Sequence, residues 1–154
     1  MDEAPQDDAA ALQVLRSARR ELAVFSMHLQ PPHFRDAVWL SALKAFLLAH
    51  ERAHARIFVC NEGGASARAS ALVELGRRLP GRLELRTRAA EQDVGFDGEW
   101  VIADDHGLWS RRGADGAPER VHLRSPGEVR PTLHVFQRIW DAAEPAQELR
   151  GLHL

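Results

Sequence analysis

Apolar positions in this chain fall into alternating long and short blocks, and the blocks predict helices and strands in turn. Leu12, Leu15 and Ala18 recur at helical spacing behind the capping candidates Asp7 and Asp8, so a helix is expected to run to about residue 20. Residues 21–27, centred on Leu22-Ala23-Val24-Phe25, read as a buried strand. Pro31-Pro32 delays the next helix until residue 33 or 34. From there Phe34, Val38, Ala42, Phe46 and Ala49 form one stripe, widened by Trp39, Leu43 and Leu47, and predict a helix to about residue 53. A second strand is expected over 55–60, a helix from Ser66 to Leu79-Pro80-Gly81, and an alternating strand over 82–87.

The second half changes rhythm. Residues 89–98 are polar and read as a loop, after which 99–103 and 108–112 predict a hairpin around Asp104-Asp105-His106-Gly107. A short strand follows over 119–124. Ser125 with Glu128 three places on has the capping-box pattern, opening a helix to about residue 143 with Val129, Leu133, Phe136 and Trp140 on one face. Pro145 stops it. Strand–helix–strand–helix–strand wants a parallel sheet, and the later strands add antiparallel partners. The expected fold is therefore α/β, a mixed β-sheet with helices on both faces. Residues 1–8 are expected to be disordered, 9–143 to form the domain and 144–154 a tail.

Composition narrows the picture. The chain has 154 residues, 45% hydrophobic, with a net charge of -2, so no overall field draws it to nucleic acid or anionic membrane. Cys60 is the only cysteine, which excludes an intrachain disulfide and suits a reducing, cytoplasmic setting. The acidic start has no signal-peptide run, and the most apolar stretch carries Lys44 and is too short to span a bilayer. Lys44 is also the only lysine; the other basic residues are arginines, a bias that accords with a GC-rich gene as readily as with phosphate binding.

The element order, with its late hairpin, resembles one half of a phospholipase-D-like phosphodiesterase over about residues 9–142. The segments that carry the likeness are Leu15-Arg16-Ser17-Ala18-Arg19-Arg20-Glu21-Leu22-Ala23-Val24-Phe25, His54-Ala55-Arg56-Ile57-Phe58-Val59, Val101-Ile102-Ala103-Asp104 and Phe136-Gln137-Arg138-Ile139-Trp140. The family's His-x-Lys signature is absent. Counting back from Asp104 as the motif's aspartate puts Asp97 at the nucleophilic His and Glu99 at the Lys. The family's chemistry needs an imidazole at phosphorus and cations on the phosphoryl oxygens, and two carboxylates repel the same phosphate. The Gly-Ser after the family's hairpin is replaced by Leu108-Trp109-Ser110-Arg111. The resemblance thus implies a fold without the catalytic pair, and, because half-size members work as pairs, a homodimer held by apolar residues near the hairpin and last helix. A narrower likeness, including the tail at 149–154, is to bacterial domains some of which are fused to acetyltransferases; it implies an accessory module. No acetyl-CoA-binding segment or other cofactor signature is present.

The residues offer few sharp sites. Cys60, Asn61, Gly63 and Gly64 stand where a parallel strand enters a helix, the usual place for a ligand, although the spacing matches no P-loop or dinucleotide fingerprint. His28 and His33 flank the loop after the first strand on the same edge. Asp97, Glu99, Asp104, Asp105 and His106 offer oxygens and an imidazole to a divalent metal, but Asp-Asp-His-Gly is equally good turn chemistry. Arg77, Arg78, Arg82, Arg86 and Arg88, and then Arg111, Arg112, Arg120 and Arg124, make two basic runs that suit a phosphate backbone or a salt-bridged surface. The candidates carried forward as ligand-binding are Cys60, Asn61, Gly63, Gly64, Asp104, Arg86 and Arg88, with no catalytic or metal-ligating residue assigned. A binding or regulatory module is the first expectation; nucleic-acid or phosphorylated-ligand binding and a metal-assisted hydrolase using Asp97, Glu99 and Asp104 are the alternatives.

Overall fold

Strand β1 (Glu21–Ser26) lies at the centre of the molecule, buried on both faces from Leu22 onward as its unbroken apolar run demands. On one side it pairs in parallel with β2 (His54–Val59), and β2 pairs in parallel with β3 (Leu83–Thr87). On the other it pairs antiparallel with β4 (Gly98–Ala103), which leads antiparallel to β5 (Gly107–Arg112) and β6 (Glu119–His122). With β7 (Glu144–Pro145) against β3, the sheet has, among the described residues, seven strands in the order β6-β5-β4-β1-β2-β3-β7. The computed structural model describes the backbone of residues 5–27, 37–61, 66–113 and 118–146, and side chains of 9–27, 37–61, 71–113 and 118–146.

Three helices, α1 (Pro5–Ser17), α2 (Ala37–Ala49) and α3 (Ser66–Arg78), pack on one face. Their Leu15, Leu43, Leu47 and Leu72 close over Leu22, Val24, Ile57 and Trp109. Helix α4 (Pro126–Ala142) covers the other face, where Phe136 and Trp140 join Phe25, Phe58, Trp100 and Ile102. The alternation of β1 and β4 divides these residues between the two cores. All four tryptophans are buried, Trp109 completely, so the hairpin tryptophans are core and offer no aromatic surface. Among the described residues no helix is long and apolar enough to cross a membrane.

The elements depart from expectation at their ends. Helix α1 starts at Pro5, inside the stretch expected to be disordered, because proline costs nothing in a first helical turn. It stops at Ser17, whose hydroxyl donates back to the Val14 carbonyl at 2.7 Å. Helix α2 ends at Ala49, four residues short of expectation, and the Ala53 N–H turns back to the His50 carbonyl at 3.1 Å. The capping box does not form: Ser125 makes no side-chain cap, and its carbonyl instead accepts the Glu128 and Val129 N–H groups. Strand β7 lies in the expected tail, its Pro145 tolerated because it sits on a sheet edge.

Candidate functional site

Parallel strands deliver their chain ends to one edge, and the loops leaving that edge are where α/β sheets place ligands. Here the carboxyl ends of β1, β2 and β3 present Ser26, Cys60, Asn61, Thr87 and Arg88. The antiparallel β4 starts at the same edge, with Asp97 just before it and Glu99 as its second residue. Asp97 thus stands outside the strand and Glu99 within it, one residue apart across Gly98. Gly98 between them is required by close approach, since a Cβ there would lie 2.2 Å from the Arg111 carbonyl oxygen.

The polar groups of this edge are held by one another. The buried Ser26 hydroxyl donates to Glu99 Oε2 at 3.4 Å, and Arg111 stands opposite Glu99 in the β4–β5 register. Thr87 donates to the Val59 carbonyl at 2.7 Å, while the Cys60 and Asn61 N–H groups extend the β1–β2 ladder to Ser26 and Met27. Burial pushes the Cys60 thiol up, and Asp97 adds to this against the charge and hydrogen bond of Arg88. The thiolate is disfavoured, so Cys60 is a poor nucleophile. Cys60 and Arg88, expected from sequence in a strand-end loop and a basic run, thus meet at this edge, with Asn61 next in chain. Gly63, Gly64, His28 and His33 lie outside the described residues.

Two other expected residues go elsewhere. Arg86 lies over the Trp140 ring at 4.5 Å and donates to the Trp140 carbonyl at 2.9 Å, tying β3 to α4. Asp104 lies at the far end of β4, about 16 Å of extended chain from Glu99. The hydrolase arrangement of Asp97, Glu99 and Asp104 around one metal is therefore not formed. Among the described residues no group of three or more His, Cys, Asp or Glu side chains is gathered to hold a metal ion.

Asp104 has a different task. Its Oδ2 accepts the Arg19 N–H and its Oδ1 the Arg20 and Glu21 N–H groups, all at 2.9 Å, and His106 Nε2 lies 3.3 Å from Oδ2. Burial alone raises this carboxyl, but the three backbone hydrogen bonds and the nearby His106 outweigh it and hold the group below the usual carboxylate range. The β4–β5 turn is pinned on its other side too, by Arg130 on Asp105 at 3.0 Å and by the Ser125 N–H on the His106 carbonyl at 2.9 Å.

The basic runs do not survive as runs. Arg77 and Arg78 bind Glu74, Arg82 donates to the Leu47 and His50 carbonyls, Arg112 lies over Phe96, and Arg120 faces Glu128 at 3.9 Å. A cationic grouping that sequence reasoning missed forms instead at the amino edge of the sheet. There Arg16, Arg19, Arg20, His50, His106 and Arg124 line an open groove of about 940 Å³. The only signal for it in sequence is the doublet Arg19-Arg20 beside Arg16, at the exit of a helix.

A mixed sheet of this order with helices on both faces defines a phospholipase-D-like α/β fold. It is shared with Nuc of Salmonella typhimurium, a phospholipase D family member (16% identity, TM-score 0.63, covering 92% of this chain and 93% of that one), and NucT of Helicobacter pylori (10% identity, TM-score 0.64, 91% of each). It is shared as well with TrmBL2, described as an archaeal chromatin protein with a novel mode of DNA binding (16% identity, TM-score 0.63); the match covers 90% of this chain and about half, 51%, of that protein. The chain belongs to the family described as "Domain of unknown function (DUF7931)", whose model matches residues 3–152. No curated protein matches it.

Proposed function

We propose that this domain is a binding module that has lost phosphodiester chemistry. The observation that carries the reading is that carboxylates, Asp97 just before β4 and Glu99 within it, stand where counting from Asp104 expects a nucleophilic imidazole and an ammonium. A phosphodiester brought to that edge meets two carboxylates, one of them hydrogen-bonded to Ser26, and a thiol held in its protonated form. None of these offers the attacking nitrogen or the charge neutralisation that phosphoryl transfer needs. The fold's occurrence in a DNA-binding chromatin protein supports a role in binding. The narrower forms of the proposal are a two-copy assembly and accessory work beside an acetyltransferase, each resting on the family likeness.

The test is hydrolysis of bis(p-nitrophenyl) phosphate by the purified chain between pH 5 and 9. No turnover above background is expected, with or without a chelator. Turnover that disappears in Asp97→Ala or Glu99→Ala overturns the reading.

A further inference from the structure

The arginines of this protein divide sharply by what they do. Arg56, Arg77, Arg78, Arg82, Arg86, Arg88, Arg112, Arg120 and Arg130 each have a carboxylate, carbonyl, amide or ring partner. Arg111 lies over Trp109. Among the described residues, the guanidinium groups without such a partner are those of Arg16, Arg19, Arg20, Arg52, Arg124 and Arg138. Four of these six line the one amino-edge groove, together with His50 and His106. Of the neighbouring acids, Asp104 is committed to three backbone N–H groups, Asp105 to Arg130 and Glu128 to Arg120, while Glu21 lies 3.9 Å from His54.

The grouping is also built. Its members come from the end of α1, the α1–β1 turn, the α2–β2 turn, the β4–β5 turn and the β6–α4 connection. The Asp104 carboxylate fixes the backbone from which Arg19 and Arg20 project. All four arginines are exposed, so their guanidinium groups are open to an anion in the groove.

We propose that this groove binds the phosphate backbone of duplex nucleic acid. Four forked cations along an open groove match a line of phosphates. Among the described residues no Phe or Trp lines the groove, which disfavours single strands, since those are gripped chiefly by stacking on such rings. The large exposed hydrophobics, Val38, Leu48 and Val121, lie outside it, so the apolar anchors of a membrane-surface site are missing. Contacts of this kind position a backbone and read no bases, so binding is sequence-independent. The inference goes beyond the binding-module reading and does not depend on it, because it concerns the opposite edge of the sheet.

The experiment is fluorescence anisotropy of the full chain with a labelled 20-base-pair DNA duplex of mixed sequence. At about 50 mM salt a Kd of roughly 1–100 µM is expected, with a slope of log K on log salt of about −3 to −4 from four neutralised phosphates. Arg19→Ala/Arg20→Ala should weaken binding about tenfold or more and reduce that slope by about 2. Arg124→Ala is the second arm. Arg77→Ala/Arg78→Ala, with the same change in net charge on helix α3, should change Kd less than about twofold. Equal losses in both doubles, or no salt-dependent binding, overturn the proposal. So does competition in which tripolyphosphate matches the duplex per phosphate, or in which phosphatidylserine vesicles compete better than unlabelled duplex. Because the read-out is binding, its failure is distinct from any phosphodiesterase result.

Discussion

Asp104 shows how one carboxylate can hold a junction between distant parts of a chain. It reaches three N–H groups some 85 residues away, in the α1–β1 turn and at the first residue of β1. Those donors have no helical or sheet partner of their own, and a charged acceptor suits them better than a neutral one. Asp104 also sits at φ 53°, a conformation aspartate tolerates better than most residues. Hydrogen bonds to charged groups are worth about 1.5–3 kcal/mol each, but these donors are near solvent and would recover water if released. Asp104→Ala should therefore cost about 2–4 kcal/mol at neutral pH, measured by urea unfolding followed through tryptophan fluorescence. The pH dependence follows from the depressed carboxyl. Its contribution is complete above the unfolded value of about 3.9 and drains away as pH falls through the lower folded value. The stability gap between wild type and Asp104→Ala should accordingly close in acid; a constant gap would assign the loss to backbone strain alone.

At the scale of elements, the β4–β5 hairpin depends on Gly98. The strands cross so closely there that a methyl group would meet the Arg111 carbonyl, a backbone atom with nowhere to go. Gly98→Ala should lower stability by more than about 1 kcal/mol and raise hydrogen exchange at the Asp97 end of the hairpin before the Asp104 end. The hairpin itself was legible in the sequence, as were β1 to β3, because an apolar run bounded by turn residues admits few other readings. The position of Cys60 and Asn61 at a parallel strand's exit was legible for the same reason, whereas Arg88 was read only as part of a basic run. Asp104 was read as part of a ligand set because counting along a strand records spacing and not which end of the sheet a residue reaches. Strand β7 was hidden by its two-residue length and its proline, and Ser125 fitted a capping pattern that the backbone of α4 satisfies in another way. Of the amino-edge groove only the doublet Arg19-Arg20 beside Arg16 was visible, since its other cations converge from separate segments.

For the molecule as a whole, the two ends of the sheet differ: at one, Asp97 and Glu99 stand beside partnered arginines, and at the other, unpaired guanidinium groups stand beside committed carboxylates. Its two side edges also differ. Pro145 blunts the β3 side, whereas β6 leaves a four-residue strand with Val121 exposed. Among the described residues no strand pairs with that edge; under the two-copy proposal it would seat the second copy, and multi-angle light scattering at about 50 µM should give twice the monomer mass. Val121→Lys should shift it toward the monomer, and a monomeric wild type would remove the paired assembly from the proposal. The clamp at Asp104 carries a consequence beyond folding. The same lock that secures the entry to the central strand also aims the cationic fingers beneath it, so acid strong enough to open the lock should release a captured polyanion before the rest of the molecule lets go.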